Sequence, residues 1–319
     1  MPLSLAALEQ AAAIVHASLP PTPQFNWPLL SEALGCEVWV KHENHSPVGA
    51  FKLRGGLVYF QRLSEQPDKP SGVVSATRGN HGQSIAYAAA RHGMSATIVV
   101  PHGNSREKNA AMRSLGANLV EYGEDFQASR EHAAELAERD GLHLVPSFHP
   151  WLVTGVASYS LELFRAVAGL DVAYVPIGMG SGICGMIAVR DALGLKTRIV
   201  GVVSKHAPAY ALSFAAGKPV SHPTSTRLAD GMACSTPDAE ALAIILDGAD
   251  HIVQVDDREI GAAMRLYFSA THNVAEGAGA AALAAAMQER EQLAGLKVGL
   301  VLSGGNVDRE MFAAELRQA

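Results

Sequence analysis

The sequence predicts an α/β protein with two open, mostly parallel, twisted sheets and helices on both faces. Short apolar runs bounded by turn residues alternate with helical patterns in two series, one from about residue 70 to 141 and one from 143 onward. Alternation at this spacing implies right-handed crossovers, and so parallel strands. Three glycine-rich stretches, 77–82, 178–182 and 303–306, each follow an apolar strand and precede a helix. Loops at the carboxyl ends of parallel strands converge on one crevice.

Size and composition agree. A chain of 319 residues suffices for one large or two medium domains, and 48% apolar with 18% charged residues supports a sizeable core. The net charge is −6 with no basic block, which argues against a nucleic-acid partner. Cys36, Cys184 and Cys234 are odd in number and far apart. That disfavours a disulfide framework or zinc site and suits a cytoplasmic location. Met1 to Leu19 lacks the basic lead and unbroken apolar core of a signal peptide. No apolar run reaches membrane-spanning length without charges or breakers, so no membrane partner is expected. The histidines are scattered without zinc-ligand spacing, and no metal site is expected.

Taken in order, Ser4 caps a helix over 4–17, which Pro20-Pro21-Thr22-Pro23 ends. A strand at 37–41 leads to a helix at 52–63. The first series reads strand 72–76, helix 82–92, strand 96–100, helix 105–115, strand 118–122 and helix 124–140, with Gly93, Gly116 and Gly141 closing the helices. In the second series the strands are 143–146, 172–177, 198–203, 251–255 and 297–302. Its helices are 150–168, 183–193, 207–216, 238–246, 257–271, 278–291 and 307–318. Residues 217–237 are irregular and should wrap the surface. Ala281 to Ala286 reads as tight helix packing.

Several stretches could carry chemistry. Lys52 follows an apolar segment, with Gly49 and Ala50 leaving room on one side and Gly55 and Gly56 on the other. A lysine packed among small and apolar groups has a lowered pKa, and the neutral amine attacks carbonyls. The plainer reading is a surface lysine opening a helix. Thr77-Arg78-Gly79-Asn80-His81-Gly82 would present free amides and a positive helix end to an anion, or be a tight turn with Asn80 as cap. Gly178-Met179-Gly180-Ser181-Gly182 could close around a phosphate, or be a plain turn. Glu276 opens a helix as a cap or serves a site. No serine sits in a hydrolase elbow.

Together, Ser46-x-x-Gly49-Ala50-Phe51-Lys52-x-Arg54-Gly55, Gly79-Asn80-His81-Gly82, the 178–182 loop and Ser303-Gly304-Gly305-Asn306 resemble, in order and spacing, the fold-type II pyridoxal-phosphate enzymes, of tryptophan synthase β-subunit-like fold. Within them the chain is similar to the threonine/serine dehydratase (ammonia-lyase) and serine racemase branch. Thr22-Pro23, Lys41-His42-Glu43-Asn44, Ala229-Asp230-Gly231 and Glu276-Gly277-Ala278-Gly279 extend the likeness over about residues 20 to 310.

The resemblance implies pyridoxal 5'-phosphate held on Lys52, which also acts as general base. It implies a large cofactor-binding domain, 1–68 and 144–319, with a small mobile domain, 69–143, inserted in it. Phe51 lies beside the cofactor ring, Asn80 bonds its phenolic oxygen, and Ser303 faces its pyridine nitrogen. The amides of Gly178, Met179, Gly180, Ser181 and Gly182 hold its phosphate. Thr77, Arg78, Gly79, Asn80 and His81 bind the substrate carboxylate. The implied reaction removes water from a β-hydroxy amino acid of the threonine/serine type, giving a 2-oxo acid and ammonia. 3-Hydroxyaspartate or another bulky β-hydroxy amino acid is an alternative substrate, and amino-acid racemisation an alternative activity. A homodimer in amino-acid catabolism is implied as well.

The chain departs from the pattern in four places. Arg78 stands where the branch carries the serine that serves as second acid/base. Ser204 and Tyr210 stand where acidic metal ligands are expected, so little metal activation is anticipated. Met179 and Ser181 replace glycines. No regulatory domain follows residue 319, which favours a catabolic enzyme. Arg78 either turns outward, pairs with an acid such as Glu43, or points into the site.

Overall fold

A computed structural model describes residues 3–318. Its elements follow the anticipated alternation. Helix α1 (Leu5–His16) is capped by Ser4, whose hydroxyl accepts from the Ala7 amide. Strand β1 (Gln24–Asn26) and helix α2 (Pro28–Leu34) precede β2 (Glu37–His42) and α3 (Lys52–Ser64). Next come β3 (Gly72–Ala76), α4 (Asn80–Arg91), β4 (Ser95–Val100), α5 (Arg106–Ser114), β5 (Asn118–Glu121), α6 (Phe126–Asp140) and β6 (His143–Leu144). The chain continues through α7 (Pro150–Ala166), β7 (Val172–Pro176), α8 (Ser181–Ala192), β8 (Arg198–Ser204) and α9 (Ala209–Ala216). It ends with α10 (Ala239–Gly248), β9 (His251–Val255), α11 (Asp257–Thr271), α12 (Gly277–Gln288), β10 (Lys297–Leu302) and α13 (Arg309–Leu316).

The strands form a six-stranded sheet, β1-β2-β10-β7-β8-β9, and a four-stranded sheet, β5-β4-β3-β6. Among the described residues, β1–β2 is the one antiparallel strand pair, apart from an isolated bridge between Ala50 and Gly304. Every residue of β3 and β7 is buried, as expected of parallel strands covered by helices on both faces. Two features differ from the sequence expectation. The strand expected at 143–146 is only two residues long and pairs with β3 in the smaller sheet, Val73 opposite His143. It therefore closes the first series rather than opening the second. Residues 24–34, for which the sequence predicts no element, form β1 and α2; three residues are too few for periodicity, and β1 exists through its pairing with β2.

The alanine-rich α12 is buried from Gly277 to Ala286 and packs between the larger sheet and α11. Small side chains let a helix lie close on both, which bears out tight packing. Glycines do the same around α3. A Cβ at Gly155 would strike the Arg54 carbonyl, and one at Gly56 would strike Ser84. Gly55 and Gly56 thus serve the contacts of α3 with α7 and α4, not the space around the Lys52 amine.

Candidate active site

Three strand ends meet at one cavity between the sheets. β3 contributes Thr77 to His81, β7 contributes Pro176, Gly178 and Met179, and β10 contributes Ser303. Phe51, Lys52 and Glu276 complete the floor, and Lys108, Phe126 and residues 230–234 the walls. Backbone bonds tie the pieces together. The Phe51 amide donates to the Ser303 carbonyl (3.0 Å), Gly305 to Gly49 (2.9 Å), and Glu276 to Gly304 (3.1 Å). Gly49 is left-handed, φ +66°, and its missing Cβ leaves room for the Asn306 amide; this is where glycine is required.

Lys52 opens α3, and its Nζ donates to Ser181 Oγ at 3.3 Å and lies 4.8 Å from the centre of the Phe51 ring. Burial lowers its pKa to about 8, because a charged amine loses hydration there. The plain surface-lysine reading is therefore set aside. In the glycine loop, Gly178 and Met179 face the cavity, Ser181 meets Lys52, and Gly180 and Gly182 lie behind them. Gly178 passes so close to the Gly231 carbonyl that a Cβ would not fit. The Met179 carbonyl is held by the Tyr210 hydroxyl at 2.9 Å.

Asn80 is fixed at both ends. Its Nδ2 donates to Glu276 Oε1 (2.6 Å), and its Oδ1 accepts from Asn306 Nδ2 (2.9 Å). Glu276 heads α12 without capping it and points into the cavity instead. Its other oxygen sits 3.3 Å from Lys108 Nζ. Burial raises the Glu276 pKa, and Lys108 opposes the rise. Lys108 also grips Asp230, at 3.0 and 2.7 Å. Burial alone would lower the Lys108 pKa, but Glu276 and Asp230 outweigh it and hold the ammonium above its ordinary value. A Cβ at Gly79 would strike this lysine stem. Sequence reasoning missed Lys108 because α5 is strongly charged; the signal was Lys108 one turn before the buried Met112, on the inner face. The stretch 217–237, expected to wrap the surface, does so only in its first half; Met232 and Cys234 are buried and line the cavity.

His81 lines the cavity, but its Nε2 is 3.1 Å from the Pro146 carbonyl, which can only accept. The proton is therefore on Nε2, and burial, with Lys52 nearby, lowers the ring pKa to about 3. The neutral ring has no second N–H for a carboxylate, so its contribution to an anion is its backbone amide. The Gly79 amide donates to Thr77 Oγ1 at 3.1 Å. The amides of Asn80 and His81 open α4 and lack helical acceptors. Arg78 is half-buried and lines the cavity. It does not pair with Glu43, which is fully buried against Arg54.

That pairing belongs to a charge network two residues beyond Lys52. Arg54 Nε and Nη2 donate to the two Glu43 oxygens (2.7 and 3.0 Å), while Nη1 and Nη2 donate to the two Glu162 oxygens (2.6 and 2.9 Å). Lys41 Nζ reaches Glu162 at 2.5 Å, and Thr22 Oγ1 donates to Glu43 at 2.6 Å. Burial would raise the Glu162 pKa, but Arg54 and Lys41 hold it down to about 2. Arg54 and Glu43 are wholly inaccessible, so α3 is anchored by a buried set of ions that reaches the surface where His16 meets Glu162.

A buried, readily deprotonated amine facing a cavity with an amide donor, a hydroxyl and a glycine-rich helix start defines an enzyme class that works through a carbonyl cofactor. The residues fit pyridoxal phosphate: Lys52 for its aldehyde, the start of α8 for its phosphate. The chain belongs to the pyridoxal-phosphate dependent enzyme family, whose model matches residues 16–304. L-threonine ammonia-lyase of Thermotoga maritima is 33% identical over 89% of this chain and 71% of that protein. L-threo-3-hydroxyaspartate ammonia-lyase of Saccharomyces cerevisiae is 32% identical over 92% of this chain and 90% of that one. The structure of maize serine racemase superposes with a TM-score of 0.90 at 26% identity, covering 99% of this chain and 97% of that one.

Proposed function

We propose that this enzyme is a dehydratase that removes water from a β-hydroxy amino acid of the serine/threonine type and releases a 2-oxo acid and ammonia. The observation that carries the reading is the Lys52 amine at the floor of the cavity, where burial lowers its pKa to about 8 and makes it far easier to deprotonate than an ordinary lysine. When bound, pyridoxal phosphate supplies an electron sink for the charge left on the substrate α-carbon. Lys52 holds the cofactor at rest. With the cofactor bound, the free Lys52 Nζ would take the substrate α-proton as general base. Asn80, oriented by Glu276 and Asn306, serves the phenolic oxygen. The amides of 178–182, at the start of α8, would hold the phosphate, and Phe51 would flank the ring. Ser303 serves the pyridine nitrogen; a neutral hydroxyl leaves the sink weak, which suits elimination because the leaving group departs soon after the proton. The substrate α-carboxylate would lie on the Asn80 and His81 amides that open α4.

The two ammonia-lyases named above support this reading. The likeness to a serine racemase favours a second one. Arg78 counts against it, because a guanidinium does not exchange protons with a substrate. With the dehydratase reading go a smaller domain, 69–143, that moves against 1–68 and 144–319, a homodimer, and a cytoplasmic place in amino-acid catabolism. Incubation with L-serine and L-threonine separately, followed by assays of 2-oxo acid and D-enantiomer, tests it. 2-Oxo acid release is the expected result. D-enantiomer without 2-oxo acid would establish the racemase, and bound cofactor without any turnover a binding module.

A further inference from the structure

Arg78 is a cavity residue that the reaction above does not use. Among the described residues no hydrogen-bond or ion-pair partner meets its side chain, although it is half-buried against the cavity. The other cations there are accounted for. Lys108 is matched by Asp230 and Glu276. Lys52 serves the cofactor, and the His81 ring is neutral and engaged by Pro146. Arg78 is thus a permanent positive charge without a counter-charge, and partial burial makes such a charge costly until an anion meets it.

The α-carboxylate has its own holders in the first amides of α4, and these exist without Arg78. The guanidinium is therefore available to a second anion. We propose that Arg78 binds a side-chain carboxylate, so that the preferred substrate is a β-hydroxy amino acid bearing one, such as 3-hydroxyaspartate; this rests on the dehydratase reading. The geometry is economical for that class. The two carboxylates of 3-hydroxyaspartate are separated by only two carbons, so the groups that bind them must be neighbours. Arg78 and the Asn80 and His81 amides are neighbours on one loop. The planar fork of an arginine matches both oxygens of a carboxylate, and neither serine nor threonine offers it a charged partner.

The test uses the cofactor-loaded enzyme and its Arg78→Gln and Arg78→Lys variants. kcat/KM is measured by 2-oxo acid release from threo-3-hydroxyaspartate, L-serine and L-threonine, and thermal protection is measured with succinate and, separately, propionate. The expected result is a wild-type preference for hydroxyaspartate, cut about 10- to 150-fold by Arg78→Gln. Serine and threonine should change far less, and Arg78→Lys should lie between. Succinate should protect the wild type and not Arg78→Gln, with propionate indifferent to the substitution. Equal losses on all three substrates would assign Arg78 to the shared carboxylate and overturn the proposal. So would a wild type that consumes serine or threonine and ignores hydroxyaspartate, although the dehydratase reading would then stand. If no substrate yields 2-oxo acid, that reading fails, and the succinate measurement alone decides whether Arg78 binds a second carboxylate.

Discussion

Replacing Lys108 by methionine keeps most of the stem and removes the charge that faces both Asp230 and Glu276. Deleting one member of a buried ion pair costs about 3–5 kcal/mol, because the partner is left charged and dry. Two features reduce that here. The Asp230 side chain is 29% exposed and regains water, and Glu276 can take a proton, since burial already raises its pKa. The expected loss near neutral pH is about 2–3 kcal/mol. It should depend on pH with a definite sign. A carboxyl whose folded pKa lies above its unfolded value gives full stability below the unfolded value and loses it as pH rises through the folded one. Without Lys108 the folded value moves further up, so the deficit is small in mild acid and grows towards alkaline pH. Urea unfolding on both sides of neutrality measures it. Lys108→Met combined with Glu276→Gln should recover part of the loss, because a neutral amide needs no counter-charge. A deficit that ignores pH, together with a double variant no better than the single, would refute this account of Lys108.

Lys52→Ala should abolish turnover and covalent cofactor attachment; borohydride reduction of the wild type, then peptide mapping, should label Lys52 and no other lysine. Gly155→Ala drives a methyl into the Arg54 carbonyl and to 2.9 Å from Gly55 Cα. Such overpacking costs about 1–3 kcal/mol, and because α3 carries Lys52, calorimetry should show a lower Tm and rate assays a lower kcat. Chelators should leave activity nearly unchanged, since Ser204 Oγ accepts from the His206 amide and the Tyr210 hydroxyl bridges Met179 and Asp238; a large loss, restored by magnesium or calcium, would contradict this. For His251, burial works against the charged ring, but Asp250 and Glu289 outweigh it and raise its pKa. Its contribution is full below the unfolded value and lost as pH rises through the folded one, so His251→Gln should lower thermal midpoints in mild acid and scarcely at alkaline pH.

Much of this was legible because glycine and strand patterns are local. Lys52, the loop at 77–82 and the turn after β10 announce themselves within a few residues, and all three reach the same cavity. What tertiary contact alone decides was not legible. Two residues of β6 carry no sign of which sheet they join. Gly55 and Gly56 look like space for an amine and are contact points for helices. Asn80 and Glu276 are 196 positions apart and become partners only when β3 and α12 are brought together. The ring nitrogen of His81 is engaged by a carbonyl from another loop, which no spacing reveals.

The ions around Arg54 bear on how this sequence can change over time. Lys41, Glu43, Arg54 and Glu162 come from three separate helices or strands and a short turn, yet each balances another. Altering any one unbalances charges held largely out of water, and such intermediates are disfavoured. Replacing all four with apolar side chains of similar bulk carries no such penalty, but single steps do not lead there. The four positions should therefore behave in descent as one inherited character, retained whole or exchanged whole, while the cavity a few residues away carries no such constraint at Arg78, whose side chain has no partner among the described residues.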